Sequence, residues 1–378
     1  MIVLKRKKRL KLKRKFVILF KILLFFLLIF FCLLCFYFYQ IRQLKKIGYS
    51  FEASKNILNY SKKDFVLEFG ESKLLNAAFE SEFYDEDNLD SYIKIKYQKQ
   101  KNIIKNINIL IDKGYSNNDI SVILAHGNDE DVTEFARKDK IKYLEEFYYN
   151  ISYAKLKFYD RYLEYSRETG EDEETTVLLV NLGMDKDAYT DPNVIDKFSV
   201  DMLVNKYNMV SEDFEPDDLV VIDSNYRNDD IQMGSKVAVD AFIEMYRAAA
   251  REGLGLVINS GYRSYEQQQK LCDTYRSLYG ENYVNKYVSF PGFSEHQTGL
   301  AFDIGSTSSN VFAESKEYQW MLKNAHKYGF ILRFTKRGEN ITGFRNEPWH
   351  YRYVGKEIAK YIYENNITYE EYYAYYLR

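Results

Sequence analysis

Three of the four histidines in this 378-residue chain fall after residue 290, and two of them sit in dense polar clusters. The first, FSEHQTGLAFDIG, places His296 seven residues before Asp303. The second, NEPWHYRYVG, places Glu347 three residues before His350. Zinc in hydrolases takes three nitrogen or oxygen ligands from the protein and keeps a fourth position for water. His296, Asp303 and His350 supply such a set, and Glu347 is left over as a carboxylate able to accept a proton from that water. Each pairing also has a plainer reading, because a His-x6-Asp is often a loop hydrogen bond and a Glu-x2-His is common. Gly299 would relieve crowding where a strand returns beside the metal. His326 lies in a helical stripe without a ligand-spaced carboxylate and reads as a surface or core residue; His126 reads as a loop residue.

These clusters need a rigid frame, and the pattern from about residue 177 predicts one. TTVLLVNLGMDK opens a region read as β-rich. Strands are expected at 219–223, 254–264, 299–305, 330–334 and 347–355, with helices at 236–253, 265–280 and 315–329 between them. This is a mixed α+β domain. Residues 41–170 carry almost no Gly or Pro, and their Tyr, Phe and Leu stripes at helical spacing read as the core of a helical accessory or spacer region. The acidic run GEDEE at 170–174 marks a plausible boundary, giving a helical region at 41–175 and a catalytic domain at 177–378.

The N-terminus carries a topology signal. Residues 1–21 hold ten Lys or Arg and no acid, leaving 43 basic against 55 acidic residues in the rest of the chain. A basic terminus on an acidic body is not a nucleic-acid footprint, which would put the positive charge on the folded domain. Residues 16–39 are apolar apart from Lys21 and long enough to cross a hydrocarbon core of ~30 Å as a helix. Lys21 can snorkel, and Tyr37 and Tyr39 suit the far interface. No small-x-small cleavage site follows, so an uncleaved anchor is expected in the cytoplasmic membrane. Residues 1–15 would form its basic cytoplasmic tail and the catalytic domain would lie outside. Cys32 and Cys35 fall in the apolar run as filler, and Cys272 stands alone in the body, so no disulfide is expected there.

Three ordered segments, SGYRSYEQQ, FSEHQTGLAFDIG and EPWHYRYVG, together resemble the VanY-type D-alanyl-D-alanine carboxypeptidases. These zinc peptidases share a fold with D-Ala-D-Ala dipeptidases and the hedgehog signalling domain. The pattern Ser-x-His-x2-Gly-x-Ala-x-Asp is matched by Ser294, His296, Gly299, Ala301 and Asp303, and the downstream Glu-x2-His by Glu347 and His350. VLLVNLGMDKDAYTD and LVNKYN are similar to the lead-in of such domains, so the likeness spans roughly 177–378. The resemblance implies one zinc ion on His296, Asp303 and His350, with Glu347 as general base and then acid. It implies that Arg263 stabilises the oxyanion, a task suited to a guanidinium that never loses its charge. Ser294 and Gln268 would line the substrate site, although Gln268 also reads as a surface helix residue. Phe302 stands where a small aliphatic is commoner in the family, which should alter packing and leave the metal alone. The implied reaction removes the terminal D-Ala from peptidoglycan stem peptides, with the D-Ala-D-Ala bond favoured. The alternatives are L,D-cleavage of tetrapeptide stems and a non-catalytic wall-binding protein. The last would be marked by loss of the base or of the Arg, and both are present.

Overall fold

The computed structural model describes residues 2–141 and 144–377, and the side chains of residues 1–14 lie outside that description. The side chains of the basic tail read at residues 1–15 therefore fall, apart from that of Lys15, outside the description. Two compact units are present, residues 1–149 and 150–378.

The first unit begins with α1 (Ile2–Lys46), whose stretch Lys15–Lys46 is long and apolar enough to cross a membrane and has an unburied apolar face. Its last turns are different: Ile41 and Leu44 are buried. Then come α2 (Phe51–Asn59), α3 (Lys63–Phe69), α4 (Lys73–Glu80), α5 (Leu89–Lys94), α6 (Ile103–Asp112), α7 (Asn117–Ala125), α8 (Asp129–Arg137) and α9 (Leu144–Tyr148). Two further helices, α10 (Tyr159–Thr169) and α11 (Glu173–Asn181), open the second unit.

Five helices from α2 and five from α7 follow the same plan. Each set starts at Gly-Tyr-Ser, residues 48–50 and 114–116, and the serine caps the first helix, Ser50 accepting from the amide of Ala53 and Ser116 from that of Asp119. A short 3-10 turn precedes the fourth helix in both, at 86–88 and 156–158. In that helix Tyr92 donates to Asn108 Oδ1 at 2.6 Å, and Tyr162 donates to Asn181 Oδ1 at 2.6 Å. The same two asparagines donate back to the carbonyls of Phe83 and Tyr153. A polar pair built on a buried tyrosine and reproduced with its partners marks an internal repeat, because apolar stripes alone would not reproduce it.

After α11 the second unit continues with β1 (Asn193–Ile195), β2 (Asn208–Val210), β3 (Leu219–Val221), β4 (Met233–Ser235), α12 (Lys236–Arg251), β5 (Leu256–Ser260), α13 (Tyr265–Tyr279), α14 (Glu281–Tyr287), β6 (Ala301–Ser306), α15 (Lys316–Asn324), β7 (Phe330–Leu332), α16 (Glu339–Thr342), β8 (His350–Tyr353), α17 (Lys356–Asn365) and α18 (Tyr369–Tyr376). Every strand and helix expected between 219 and 355 is present. The segment TTVLLVNLGMDK is not β-rich: its first half is α11. Asp172 caps that helix by accepting from the amide of Thr175, and Leu178 and Leu182 bury against Ile331, Val354 and Ala374, which overrides the strand preference of its Thr and Val residues.

The working sheet is antiparallel, ordered β5-β6-β8-β7. Side chains alternate between its faces. Ile258, Phe302, Ile304, Phe330 and Tyr351 join the core formed with Phe242, Met245 and Ala249 of α12. Phe302 stays within this core: its ring lies 6.2 Å from that of Phe242 and 6.0 Å from that of Phe330. Gly234 makes the room, since a Cβ there would come within 2.7 Å of the Phe302 ring. The opposite face, carrying Asp303, is free for chemistry.

Candidate functional site

Register brings the polar residues together. Asp303 on β6 pairs with Ser260 on β5 and with His350 on β8, so three polar side chains stand abreast on one face of the sheet. His296 reaches the same place from a 3-10 turn, 295–298, that ends at Gly299 with φ +67°. A Cβ on Gly299 would lie 2.8 Å from the amide nitrogen of Ser235 and 3.0 Å from Leu219. The glycine thus relieves a close approach of the β3–β4 hairpin rather than crowding at the His296–Asp303–His350 cluster.

One nitrogen of each histidine is occupied by the protein. His296 Nδ1 lies 2.7 Å from the carbonyl of Gly261, which makes Nδ1 the protonated nitrogen and leaves the Nε2 lone pair directed at Asp303 Oδ1, 3.5 Å away. His350 Nε2 lies 3.3 Å from Glu295 Oε2, leaving Nδ1 to face Asp303 Oδ1 at 3.2 Å and Glu347 Oε2 at 3.8 Å. One donor atom from each of His296, Asp303 and His350 falls within 4.8 Å of the others. Although two imidazoles lie this close to it, Asp303 Oδ1 is buried without a well-directed hydrogen bond. A buried carboxylate oxygen without a donor, facing two ring lone pairs, is the arrangement that a cation completes.

The electrostatics agree. Burial, reinforced by the Arg263 charge, lowers the His296 pKa and keeps its ring neutral. Burial also works against a charged His350, but the carboxylates of Asp303 and Glu295 outweigh it and raise its pKa to about 9, so that without a cation Nδ1 holds a proton which a bound metal would displace. The site therefore attracts positive charge. Burial, helped by the neighbouring Asp303 and Glu295 charges, pushes the Glu347 carboxyl up to about 7.

Arg263 follows β5 and is held at both ends of its guanidinium: Nη1 donates to Gln268 Oε1 at 2.6 Å and Nη2 to Ser260 Oγ at 3.0 Å. Gln268 is fully buried and donates to the carbonyl of Ser289, so the surface reading of this residue is set aside. Its position on the first turns of α13, after the Ser264 cap, places it under the guanidinium. Ser294 is buried beside His296. All seven residues singled out in the sequence, Arg263, Gln268, Ser294, His296, Asp303, Glu347 and His350, line one open cavity of about 420 Å³. His326 stands apart from it, stacked on Tyr363 at 3.7 Å.

Sequence reasoning missed Glu295. It is completely buried and sits between two arginines: Arg333 Nε donates to it at 2.8 Å and Arg352 Nη1 at 3.2 Å. Arg333 also donates with both Nη atoms to Glu370 of α18, at 2.8 and 2.6 Å. Two acids and two guanidiniums thus form a neutral buried network whose free carboxylate oxygen holds His350. Because Arg333 and Arg352 outweigh the cost of burial, Glu295 is held ionised well below the usual carboxylate range. The one available signal was its place between Ser294 and His296.

Comparison with known proteins follows the same residues. The VanY family model, D-alanyl-D-alanine carboxypeptidase, matches residues 231–356, a span containing all seven. YodJ of Bacillus subtilis (strain 168) is 45% identical over 179 residues, which are 45% of this chain and 66% of YodJ. The bifunctional D-Ala-D-Ala dipeptidase and D-Ala-D-Ala carboxypeptidase VanXYC of Enterococcus gallinarum is 32% identical over 180 residues, 46% of this chain and 93% of that protein. Among solved structures, the LdcB LD-carboxypeptidase is 44% identical, with 46% of this chain and 85% of that chain covered and a TM-score of 0.43. The chain spans between 46% and 66% of the length of the first three curated relatives it matches.

Proposed function

The chain belongs to the VanY family of D-alanyl-D-alanine carboxypeptidases, and we propose that it is a zinc peptidase that removes the terminal D-Ala of peptidoglycan stem peptides at the D-Ala-D-Ala bond. The observation that carries this reading is the convergence of His296 Nε2, Asp303 Oδ1 and His350 Nδ1, with Glu347 and Arg263 in the same cavity. Two nitrogens and one carboxylate oxygen suit a single zinc ion, with His296, Asp303 and His350 as its ligands. When bound, zinc supplies Lewis acidity toward the scissile carbonyl and toward water.

The residues of the chain do the rest. Glu347 accepts a proton from the attacking water as the new C–O bond forms. The charge that develops on the carbonyl oxygen falls to Arg263, whose fork is already fixed by Gln268 and Ser260 and needs no reorganisation. As the C–N bond breaks, Glu347 returns the proton to the amine of the departing D-Ala. A carboxyl raised by burial to about 7 suits both steps near neutral pH. Ser294 and Gln268 line the substrate site, Gln268 acting through Arg263. Glu295 orients His350, so that the ring offers Nδ1 and not Nε2.

Mass spectrometry of purified muropeptides tests the substrate. Pentapeptide stems are expected to lose one D-Ala while tetrapeptides persist, and β-lactams should have little effect because no acyl-enzyme forms for them to trap. Tetrapeptide shortened to tripeptide with pentapeptide intact would assign the enzyme to L,D-cleavage, the activity named for LdcB.

The apolar face of α1 and its basic flank support a single-pass anchor with the N-terminus in the cytoplasm and residues 177–378, the catalytic domain, outside. A reporter active only in the cytoplasm, fused to the C-terminus, should stay silent; a signal from it would reverse the orientation.

A further inference from the structure

One wall of the catalytic cavity is built from tyrosines that the chemistry does not use. Tyr275 and Tyr279 stand one turn apart on α13, and Tyr283 and Tyr287 stand one turn apart on α14. Their rings form a continuous ladder. Centroids are 4.8 Å apart for Tyr287 and Tyr283, 4.7 Å for Tyr283 and Tyr279, and 5.8 Å for Tyr283 and Tyr275, the last pair only 17° from parallel. Tyr275, Tyr283 and Tyr287 line the cavity that holds Glu347 and His350. The ladder then leaves it: Tyr279 is 59% exposed. Tyr275, Tyr283 and Tyr287 pack against a small apolar cluster of Cys272, Val284 and Val288, which holds the ladder in place and leaves Tyr279 as its exposed ring. Arg345 caps the inner end, 4.9 Å over the Tyr287 ring.

From this continuity we propose that the tyrosine ladder is a carbohydrate platform that binds the sugar-bearing end of the substrate, so that the enzyme prefers stems still attached to glycan over free peptides. The inference rests on the reading that stem peptides are the substrate. With the C-terminal D-Ala held at Glu347, a stem of five residues extends at most about 17 Å, so its sugar-bearing end lies outside the cavity, on the surface that leads from its mouth. A pyranose presents an apolar C–H face with hydroxyls around its rim. A tyrosine presents an apolar face with a hydroxyl at its edge, so the two stack without stranding a polar group. The short side chains of a stem have no flat face to lay on the exposed Tyr279 ring.

The test uses the full-length, zinc-loaded protein in detergent and compares a disaccharide-pentapeptide with the same pentapeptide free. KM is expected to be about threefold to tenfold lower for the disaccharide substrate, with kcat alike, the effect of one stacking contact made equally in the ground and transition states. Tyr279→Ala, at an exposed position, should raise KM for the disaccharide substrate by the same factor and leave KM for the free peptide unchanged; Tyr279→Trp should restore the preference. Equal KM values for the two substrates, or a Tyr279→Ala effect that is the same on both, overturns the platform. If neither substrate is cleaved, the stem-peptide reading fails. Calorimetric titration with the two compounds then decides the platform by itself: tighter binding of the sugar-bearing one that Tyr279→Ala abolishes supports it, and equal binding overturns it.

Discussion

Glu347→Gln is expected to leave zinc in place and lower turnover by about 10²–10⁴-fold, the usual share of a positioned acid–base group. The substitution keeps the side-chain volume and removes only the capacity to accept and return a proton. Neighbouring variants give the contrast. His350→Ala deletes a donor atom of the triad, so metal and activity should vanish together. Glu295→Gln lies one bond further out. It leaves three ligands but weakens the acceptor that holds His350 in its tautomer, and metal affinity measured by chelator competition should fall by about 10–100-fold. Nearly full activity in Glu347→Gln would mean that another group moves the proton. Zinc loss in that variant would make Glu347 a ligand instead.

The largest effect on stability is expected at a residue that does not line the cavity. Glu370→Ala removes the carboxylate that takes two hydrogen bonds from Arg333, an arginine with no exposed surface. Removing one partner of a buried pair leaves an uncompensated charge, at a cost of about 3–5 kcal/mol. For a unit of this size each kcal/mol lowers Tm by about 2–4 °C, so the midpoint of the metal-free protein should drop by at least about 6 °C. Glu370→Gln, which can still accept one of the bonds, should fall between this variant and wild type. A Tm within about 1 °C of wild type for Glu370→Ala would show that Arg333 finds solvent or another acid, and that the network does not hold the fold.

The site was legible because its chemistry is carried by motifs local in sequence. Ser294 to Asp303 and Glu347 to His350 each lie within ten residues, and β6 and β8 only had to pair in register to join them. The alternating strands were legible for the same reason, since a sheet with one buried face writes a period of two. Glu295 was not, because its partners Arg333, Arg352 and Glu370 are 38 to 75 residues away and meet only in the folded core. Nor was the helix at 173–181, where a local cap and distant packing prevail over β-branched composition. The internal repeat had a sequence trace in its two Gly-Tyr-Ser tripeptides. Proof came from Tyr92–Asn108 and Tyr162–Asn181, pairs whose spacing in the chain differs by three residues and so escapes a search at fixed period.

That repeat restricts how the segment between α1 and the sheet domain can change length. Gly48 and Gly114 are 66 residues apart and open equivalent five-helix sets. Deleting one set, or inserting another, would deliver the next Gly-Tyr-Ser to the end of α1 with each serine cap and each Tyr–Asn pair intact. The second set cannot be the one discarded, because its closing helix and the C-cap that follows supply Leu178 and Leu182 to the apolar cluster around Val354 and Ala374. The segment is thus adjustable in whole sets from its α1 side, like a chain shortened one link at a time, while the set that joins the sheet domain stays fixed.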